Sequence, residues 1–224
     1  MHSSVTNLID IENKLNVLVD QKIRKPEIIA VSKTFDIEHI KPVLEHGHKN
    51  FGENKIQEAI SKWTDVKKEH IDIKLHMLGK VQTNKVKFLI PLFDYLHSLD
   101  NFKLAEKISK EEVKKNKKIK IFIQVNLGEE EQKNGINLKD FDNFYYECKK
   151  NLNLDIIGLM CLPPQNENPE KFFQKLKECS DKFGLKDLSM GMSNDYVEAI
   201  KFKSTFLRIG SKIFGRKVSH TAYV

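Results

Sequence analysis

Ile28-Ile29-Ala30-Val31-Ser32-Lys33-Thr34, running into Phe35-Asp36-Ile37-Glu38, is the stretch from which the fold is read. Its four apolar, partly β-branched residues predict a short, fully buried strand, and a helical pattern begins just beyond. A lysine at the exit of such a strand is unusual, because a buried ammonium without a partner is costly. On this segment alone two readings of Lys33 stay open. Its stem snorkels and its head reaches solvent, or the amine is kept partly desolvated and nucleophilic, as Schiff-base chemistry needs.

The same strand-then-helix unit recurs along the chain. Apolar strand-like runs fall at 28–31, 49–51, 71–78, 93–99, 119–125, 154–160, 187–190 and 205–209, with helical patterns at 37–46, 55–63, 84–90, 102–115, 138–149, 169–183 and 194–202. Ahead of them, Leu8, Ile11, Leu15 and Leu18 mark an amphipathic helix over 4–20, with Ser4 as its candidate N-cap. Regular alternation implies parallel strands joined by helical crossovers. Eight units predict a (β/α)₈ TIM-type barrel with an extra N-terminal helix, one domain over residues 1–224. A doubly wound open sheet is the competing fold. It would normally place a glycine-rich turn after the first strand, where this chain has Ser32-Lys33-Thr34.

Composition narrows the function classes. The chain has 224 residues and a net charge of +7. Its excess lysines fall in mixed stretches such as Lys114-Lys115-Asn116-Lys117-Lys118, without a nucleic-acid-binding module. No apolar run reaches the roughly 20 residues that span a bilayer. The N-terminal residues lack a basic start and an apolar signal core. Cys148, Cys161 and Cys179 have no CxxC spacing, which argues against a disulfide framework or a zinc site. These features predict a cytoplasmic protein that binds neither nucleic acid nor membrane.

In a (β/α)₈ barrel the loops after the strands build the site, and phosphate commonly binds after the last two. Those places carry Ser189-Met190-Gly191-Met192-Ser193 and Arg208-Ile209-Gly210-Ser211-Lys212-Ile213-Phe214-Gly215. Small residues let backbone N–H groups approach an anion, and hydroxyls add donors. Arg208 stands where an apolar strand residue is expected; its bland reading is a partner for a rim carboxylate. Barrel closure brings the last strand beside the first, so Lys33 and Arg208 share one mouth. A lysine, an arginine and a phosphate cradle together describe a pyridoxal phosphate pocket, with the arginine facing the pyridine nitrogen. A permanent guanidinium there leaves the ring nitrogen unprotonated and the ring a weaker electron sink.

At this point the words of the sequence resemble a known family. Ala30-Val31-Ser32-Lys33-Thr34, Phe51-Gly52-Glu53-Asn54, Gly79 with Gln82-Thr83-Asn84-Lys85, Gly158-Leu159-Met160, Leu188-Ser189-Met190-Gly191-Met192-Ser193 and Arg208-Ile209-Gly210 through Phe214-Gly215 are similar to the pyridoxal phosphate homeostasis protein family. The matches fall in order and cover nearly all of the chain after the first helix. The resemblance implies a stand-alone barrel like that of alanine racemase, with the cofactor on Lys33 as an internal aldimine. It implies Asn54 near the ring hydroxyl, Arg208 at the pyridine nitrogen, and Ser193, Gly210 and Ser211 at the phosphate. It also implies a carrier or buffer of pyridoxal 5'-phosphate, without established turnover, that influences amino-acid and keto-acid pools. Apo-enzymes that use the cofactor become candidate partners, and the chain is expected to be a monomer or a weak homodimer. Lys80 stands where many members have histidine, and Cys161 also departs from the common pattern.

Other side chains are weighed one by one. His76 is expected either to contact the cofactor, to orient Asn54, or to be a satisfied core histidine. His46 and His48 have no third ligand nearby, so no metal is expected. Glu53 is expected as a rim carboxylate pairing with a lysine. Met190, Met192 and Cys161 are expected to pack the core. Lys133 and Gly135 are candidates for a loop over the mouth. Two alternatives to a carrier remain: an amino-acid racemase, and a Schiff-base barrel acting on another phosphorylated metabolite. Racemisation needs acid–base groups on both faces of the substrate. Tyr95, Tyr145, Tyr146 and Tyr196 are not placed at the site by any motif.

Overall fold

The fold is that of a computed structural model, which describes residues 1–128 and 134–216. Glu27–Val31 (β1) lies in parallel between Asn50–Glu53 (β2) and Phe206–Ile209 (β9). Around the ring follow Lys74–Met77 (β3), Tyr95–Leu99 (β4), Lys120–Asn126 (β5), Asp155–Met160 (β7) and Asp187–Met192 (β8). The pairing runs β4-β3-β2-β1-β9-β8-β7-β5 and closes through β4–β5, which makes an eight-stranded parallel barrel. The two-residue strand Ile136–Asn137 (β6) pairs only with the end of β5 and stands outside the ring.

Helices Ile37–Glu45 (α2), Ile56–Glu69 (α3), Val86–Leu92 (α4), Phe102–Lys115 (α5), Leu138–Tyr146 (α6), Glu170–Lys182 (α7) and Tyr196–Lys201 (α8) form the crossovers. Local chemistry starts some of them: Asp36 accepts from the His39 N–H at 3.0 Å and Asn101 from the Leu104 N–H at 2.9 Å. The predicted strands over 71–78 and 93–99 are shorter than the apolar runs that signalled them. The Ile73 N–H closes a turn on the His70 carbonyl, and the Phe93 N–H is spent on the end of α4. Leu138–Tyr146 continues as a π-turn over Glu147–Asn151, so the expected helix over 138–149 changes character partway.

The first helix differs from its expectation in two respects. It covers Ser3–Leu18 (α1), and its N-cap is His2, whose ring nitrogen accepts from the Ser4 N–H, while Ser4 lies inside the helix. After β9 the described chain adds only the four-residue helix Ser211–Phe214 (α9), too short to fill a crossover position. α1 packs against α2 and α9, and Lys14 lies 5.8 Å over the Tyr196 ring of α8. It therefore takes the eighth place in the outer ring. Its apolar face (Leu8, Ile11, Leu15) supplies the surface that the missing crossover helix would bury.

Strand alternation divides the buried residues into two cores. The larger lies between barrel and helices and includes Phe51, Trp63, Leu75, Phe93, Phe173 and Leu207. The smaller is the barrel lumen: Ile29, Val31, Leu78, Phe122, Met160 and Phe206, with Tyr95 and Ile157 at its edge. The lumen also takes polar side chains, among them His76, His97, Ser189 and Arg208, all buried. Among the described residues no helix is long and apolar enough to cross a membrane.

Candidate cofactor site

The C-terminal ends of β1 and β9 lie side by side, with Ile29 opposite Arg208 and Ala30 opposite Ile209. Gly210 packs against Val31, two residues before Lys33. Lys33 and Arg208 are thus at the same end of the barrel, the lysine on the rim and the arginine one layer down in the lumen. Of the two readings left open for Lys33, the one in which its head reaches solvent is observed: the side chain is exposed, and the strand ends at Val31.

What the fold fixes is the backbone on either side of that lysine. Ser32 donates its hydroxyl to Glu53 Oε1 at 2.6 Å, and its carbonyl accepts from Lys62 Nζ at 2.9 Å. Thr34 takes a left-handed φ of 68°, unfavourable for a β-branched residue, and its N–H donates to Glu58 Oε1 at 2.5 Å. Lys62 Nζ bridges the two carboxylates, 2.8 Å from Glu53 and 3.2 Å from Glu58. Trp63 Nε1 also donates to Glu53 Oε1 at 2.9 Å. Glu53 does pair with a lysine as expected, but it is 0% exposed behind β2 and not on the rim. A clamp built on α3 therefore holds the residues flanking Lys33, whose own side chain is exposed.

Arg208 is 4% exposed and has no carboxylate partner among the described residues. It donates from Nη1 to Ser189 Oγ at 2.6 Å and from Nη2 to the Cys161 carbonyl at 2.9 Å. Burial lowers its pKa, with the Asp195 carboxylate opposing the shift. The guanidinium retains its charge at any physiological pH. Its remaining N–H groups have no acceptor in the described protein, so the donor set suits an external acceptor. The bland reading of Arg208 as one half of a rim ion pair is overturned.

Asn54 follows β2 at half-burial, and its carbonyl packs on Gly79 so closely that a Cβ there would lie 2.1 Å from the oxygen. Only glycine fits, which ties the loops after β2 and β3 together. Gly79 is held in turn by Ser98, whose hydroxyl donates to its carbonyl at 2.7 Å. Near the end of β8, Gly191 has φ +96° and no room for a side chain beside Ala199. The Met192 N–H donates to Asp195 Oδ1 at 2.6 Å, and burial raises the Asp195 pKa. Ser193 Oγ accepts from the Lys212 N–H at 3.3 Å. That bond joins the two serine–glycine loops, and brings Ser193, Gly210 and the exposed Ser211 to one side of the mouth.

His76 does not reach Asn54. Its register partner is Gly52, two residues earlier, and its ring bonds Asn50 Oδ1 at 2.8 Å and His97 Nε2 at 2.9 Å. Of its expected roles, a satisfied interior histidine is the one observed, with side chains rather than backbone as partners. Burial holds the pKa of His76 and of His97 well below the ordinary histidine value, the neighbouring cations adding to the effect. Burial also lowers His48 to about 4, and its Nε2 pairs with the Asn50 carbonyl at 2.9 Å.

Among the described residues no group of His, Cys, Asp and Glu is arranged to hold a metal. Cys161 is buried as expected, and burial pushes its thiol up to about 12; the residue serves the site through its carbonyl. Lys80 is exposed. Tyr95 stacks on His76, Tyr145 and Tyr146 pack around Phe183, and Tyr196 lies under Lys14. None of these four is part of the mouth. Lys133 lies outside the described residues.

Sequence reasoning missed Asn50, His97, Lys62 and the use of Ser189 as a side-chain partner. Only the lumen-facing polar residues at period two in strands 74–77 and 95–99 hinted at them.

The alanine racemase N-terminal-domain family matches residues 7–218. A pyridoxal phosphate homeostasis protein of Aquifex aeolicus (strain VF5) is 38% identical over 203 residues, covering 85% of this chain and 87% of that protein. One of Escherichia coli (strain K12) is 29% identical over 229 residues, covering 97% and 98%. PipY of Synechococcus elongatus PCC7942, solved with pyridoxal phosphate (PLP) bound, superposes with a TM-score of 0.83 at 27% identity, over 95% of this chain and 100% of its own. Alanine racemase of Clostridium difficile 630 shares the fold at a TM-score of 0.73 and 15% identity, and its chain is covered over 58% of its length. Residues 7–218 and the relative from Aquifex aeolicus together place the assignment beyond the barrel alone: the chain belongs to the pyridoxal phosphate homeostasis protein family, built on the alanine racemase N-terminal domain.

Proposed function

We propose that this protein binds pyridoxal 5'-phosphate at the mouth of the barrel and acts as its intracellular carrier or buffer, without turnover of its own. The observation that carries this reading is Arg208, a buried guanidinium with neutral partners only and N–H groups to spare, at the same end of the barrel as Lys33. In this reading Lys33 supplies the amine that holds the aldehyde covalently. Arg208 donates to the pyridine nitrogen, Asn54 approaches the ring hydroxyl, and Ser193, Gly210 and Ser211 receive the phosphate. His76, with both ring nitrogens already engaged, supports the lumen below the cofactor and does not touch it.

When bound, the cofactor supplies a conjugated ring that withdraws electrons from attached groups, and more strongly when its nitrogen is protonated. A guanidinium is donor-only and cannot pass its proton on, so Arg208 favours the unprotonated ring. The site holds the molecule while muting its carbanion chemistry, which suits storage better than catalysis. Two-base racemisation needs a second acid–base group across the substrate, and none of the four tyrosines named above stands near Lys33. Delivery to apo-enzymes and the monomer or weak homodimer state are parts of the same proposal.

The test is direct. The purified protein incubated with the cofactor gains a visible imine band; borohydride reduction followed by peptide mapping finds the adduct on Lys33. Lys33→Ala loses band and adduct but unfolds at the same temperature. An adduct on another lysine, or none, overturns the assignment. Sustained interconversion of L- and D-amino acids by the loaded protein would favour the racemase reading.

A further inference from the structure

A line of five hydrogen bonds crosses the lumen from the mouth to the opposite end of the barrel. Arg208 Nη1 meets Ser189 Oγ at 2.6 Å, Ser189 Oγ meets His97 Nδ1 at 2.7 Å, and His97 Nε2 meets His76 Nδ1 at 2.9 Å. His76 Nε2 then meets Asn50 Oδ1 at 2.8 Å, and Asn50 Nδ2 meets Glu27 Oε2 at 3.3 Å. The residues come from β9, β8, β4, β3, β2 and β1.

The direction of every bond can be deduced from either end. A guanidinium only donates, so Ser189 accepts from Arg208 and passes its own hydrogen to His97 Nδ1. That leaves the His97 proton on Nε2, where it is donated to His76 Nδ1. Starting from the other end, a carboxylate only accepts, so Asn50 turns its NH₂ to Glu27 and its oxygen to His76. The His76 proton must then be on Nε2, which again leaves Nδ1 as the acceptor. The two deductions agree at the bond between the rings. The rings are also fixed in orientation, His97 stacked on Phe122 at 4.3 Å and His76 on Tyr95 at 4.2 Å.

We propose that Ser189, His97, His76 and Asn50 are positioning residues that form a neutral, one-directional dipole chain holding Arg208 as an uncancelled, immobile cation at the mouth. Each link turns its acceptor side toward Arg208 and its donor side toward Glu27. The chain therefore stabilises a cation at one end and an anion at the other without a carboxylate entering the lumen. A carboxylate beside the guanidinium would neutralise its field and occupy donors that a ligand's ring nitrogen could use. Neutral imidazoles suit this role, since an imidazolium would have two donors and break the direction of the chain. The inference rests on the proposed cofactor site only for its effect on binding; the chain itself is a property of the protein alone.

Two measurements test it on the full-length protein. In ligand-free protein with ¹⁵N-labelled histidine, NMR is expected to find both rings neutral at pH 7, with the proton on Nε2. In Ser189→Ala the Glu27 end of the chain still keeps the His97 proton on Nε2, while Nδ1 loses its hydrogen-bond donor and its ¹⁵N resonance is expected to shift. A proton on Nδ1 of either ring in the wild type, or an imidazolium, overturns the proposal. Binding of pyridoxal phosphate is expected to weaken about tenfold in Ser189→Ala and His97→Phe, the loss of a hydrogen bond to a charged group. His97→Gln can still accept from Ser189 and donate to His76, and is expected to restore most of the affinity. Equal affinity in His97→Phe and wild type, both folded, also overturns the proposal. Should His97→Phe not fold, Ser189→Ala decides the same question. A wild type that binds no pyridoxal phosphate removes the proposed function, and the NMR result alone then judges the chain.

Discussion

The two cores of this barrel are built on opposite principles. Between strands and helices the buried side chains are almost wholly apolar, and Trp63, Phe51 and their neighbours are held by area removed from water. Within the lumen the apolar residues are few, and a buried cation is held by aligned neutral groups. The outer core tolerates no unpaired charge; the inner one is arranged around one. Apolar burial is thus concentrated outside the strands, where the buried carboxylates are paired with lysines, and a cation with neutral partners lies inside them.

Four perturbations separate the two regions, and among the substitutions the largest effect falls on the outer one. Trp63 is fully buried, 4.9 Å from the Phe51 ring, and also donates to Glu53. Trp63→Ala is expected to lower the unfolding free energy by about 3–5 kcal/mol in a urea titration. Lys62→Met comes next, at about 3 kcal/mol, because it leaves the Glu53 carboxylate buried and without its cation. Adding Glu53→Gln to it should recover much of that loss; if the double variant is no more stable than Lys62→Met, the ion pair is not the reason.

A third perturbation is pH. His48, His76 and His97 all bind protons more weakly in the fold than in the unfolded chain, where the value is 6.5. As pH falls below that value the unfolded chain takes up protons first, so stability is full above it and declines below it. Each histidine contributes a slope of about 1.4 kcal/mol per pH unit, and for His48 the decline ends near its folded value of about 4. Urea midpoints measured between neutral pH and that value would be flat if these imidazoles were already charged in the fold. The smallest change in stability is expected from Lys33→Ala. Its side chain is exposed, so the unfolding free energy should shift by less than about 0.5 kcal/mol while the borohydride adduct disappears.

Much of the barrel could be read from the chain because its signals are local. Each strand-to-helix change of period falls within one short window, and the loops with Lys33, Ser193 and Arg208 are contiguous words. Ring closure then follows from counting units. The lumen chain was not legible, because its links join residues from different strands: His97 and Ser189 are 92 positions apart. A lone histidine in a strand gives no sign of which ring it will meet. Glu53 was misplaced for a similar reason. It alternates outward from Gly52 and toward α3, and only the position of Lys62 on that helix shows what neutralises it. For Lys33 the sequence left both readings open, since a residue just past a strand end can turn in either direction, and the structure shows the exposed one.

The eighth place in the outer ring has a consequence for how the molecule comes together. It is filled by α1, the first helix of the chain, whose contacts include α9, the last described one, and Asn7 Nδ2 donates to the Ile213 carbonyl across 206 positions. During synthesis α1 is made about 200 residues before this partner, so its contacts with α9 form only after Ile213 has left the ribosome. The seam of the ring thus joins segments far apart in synthesis, so a chain stopped before β9 leaves α1 without that partner.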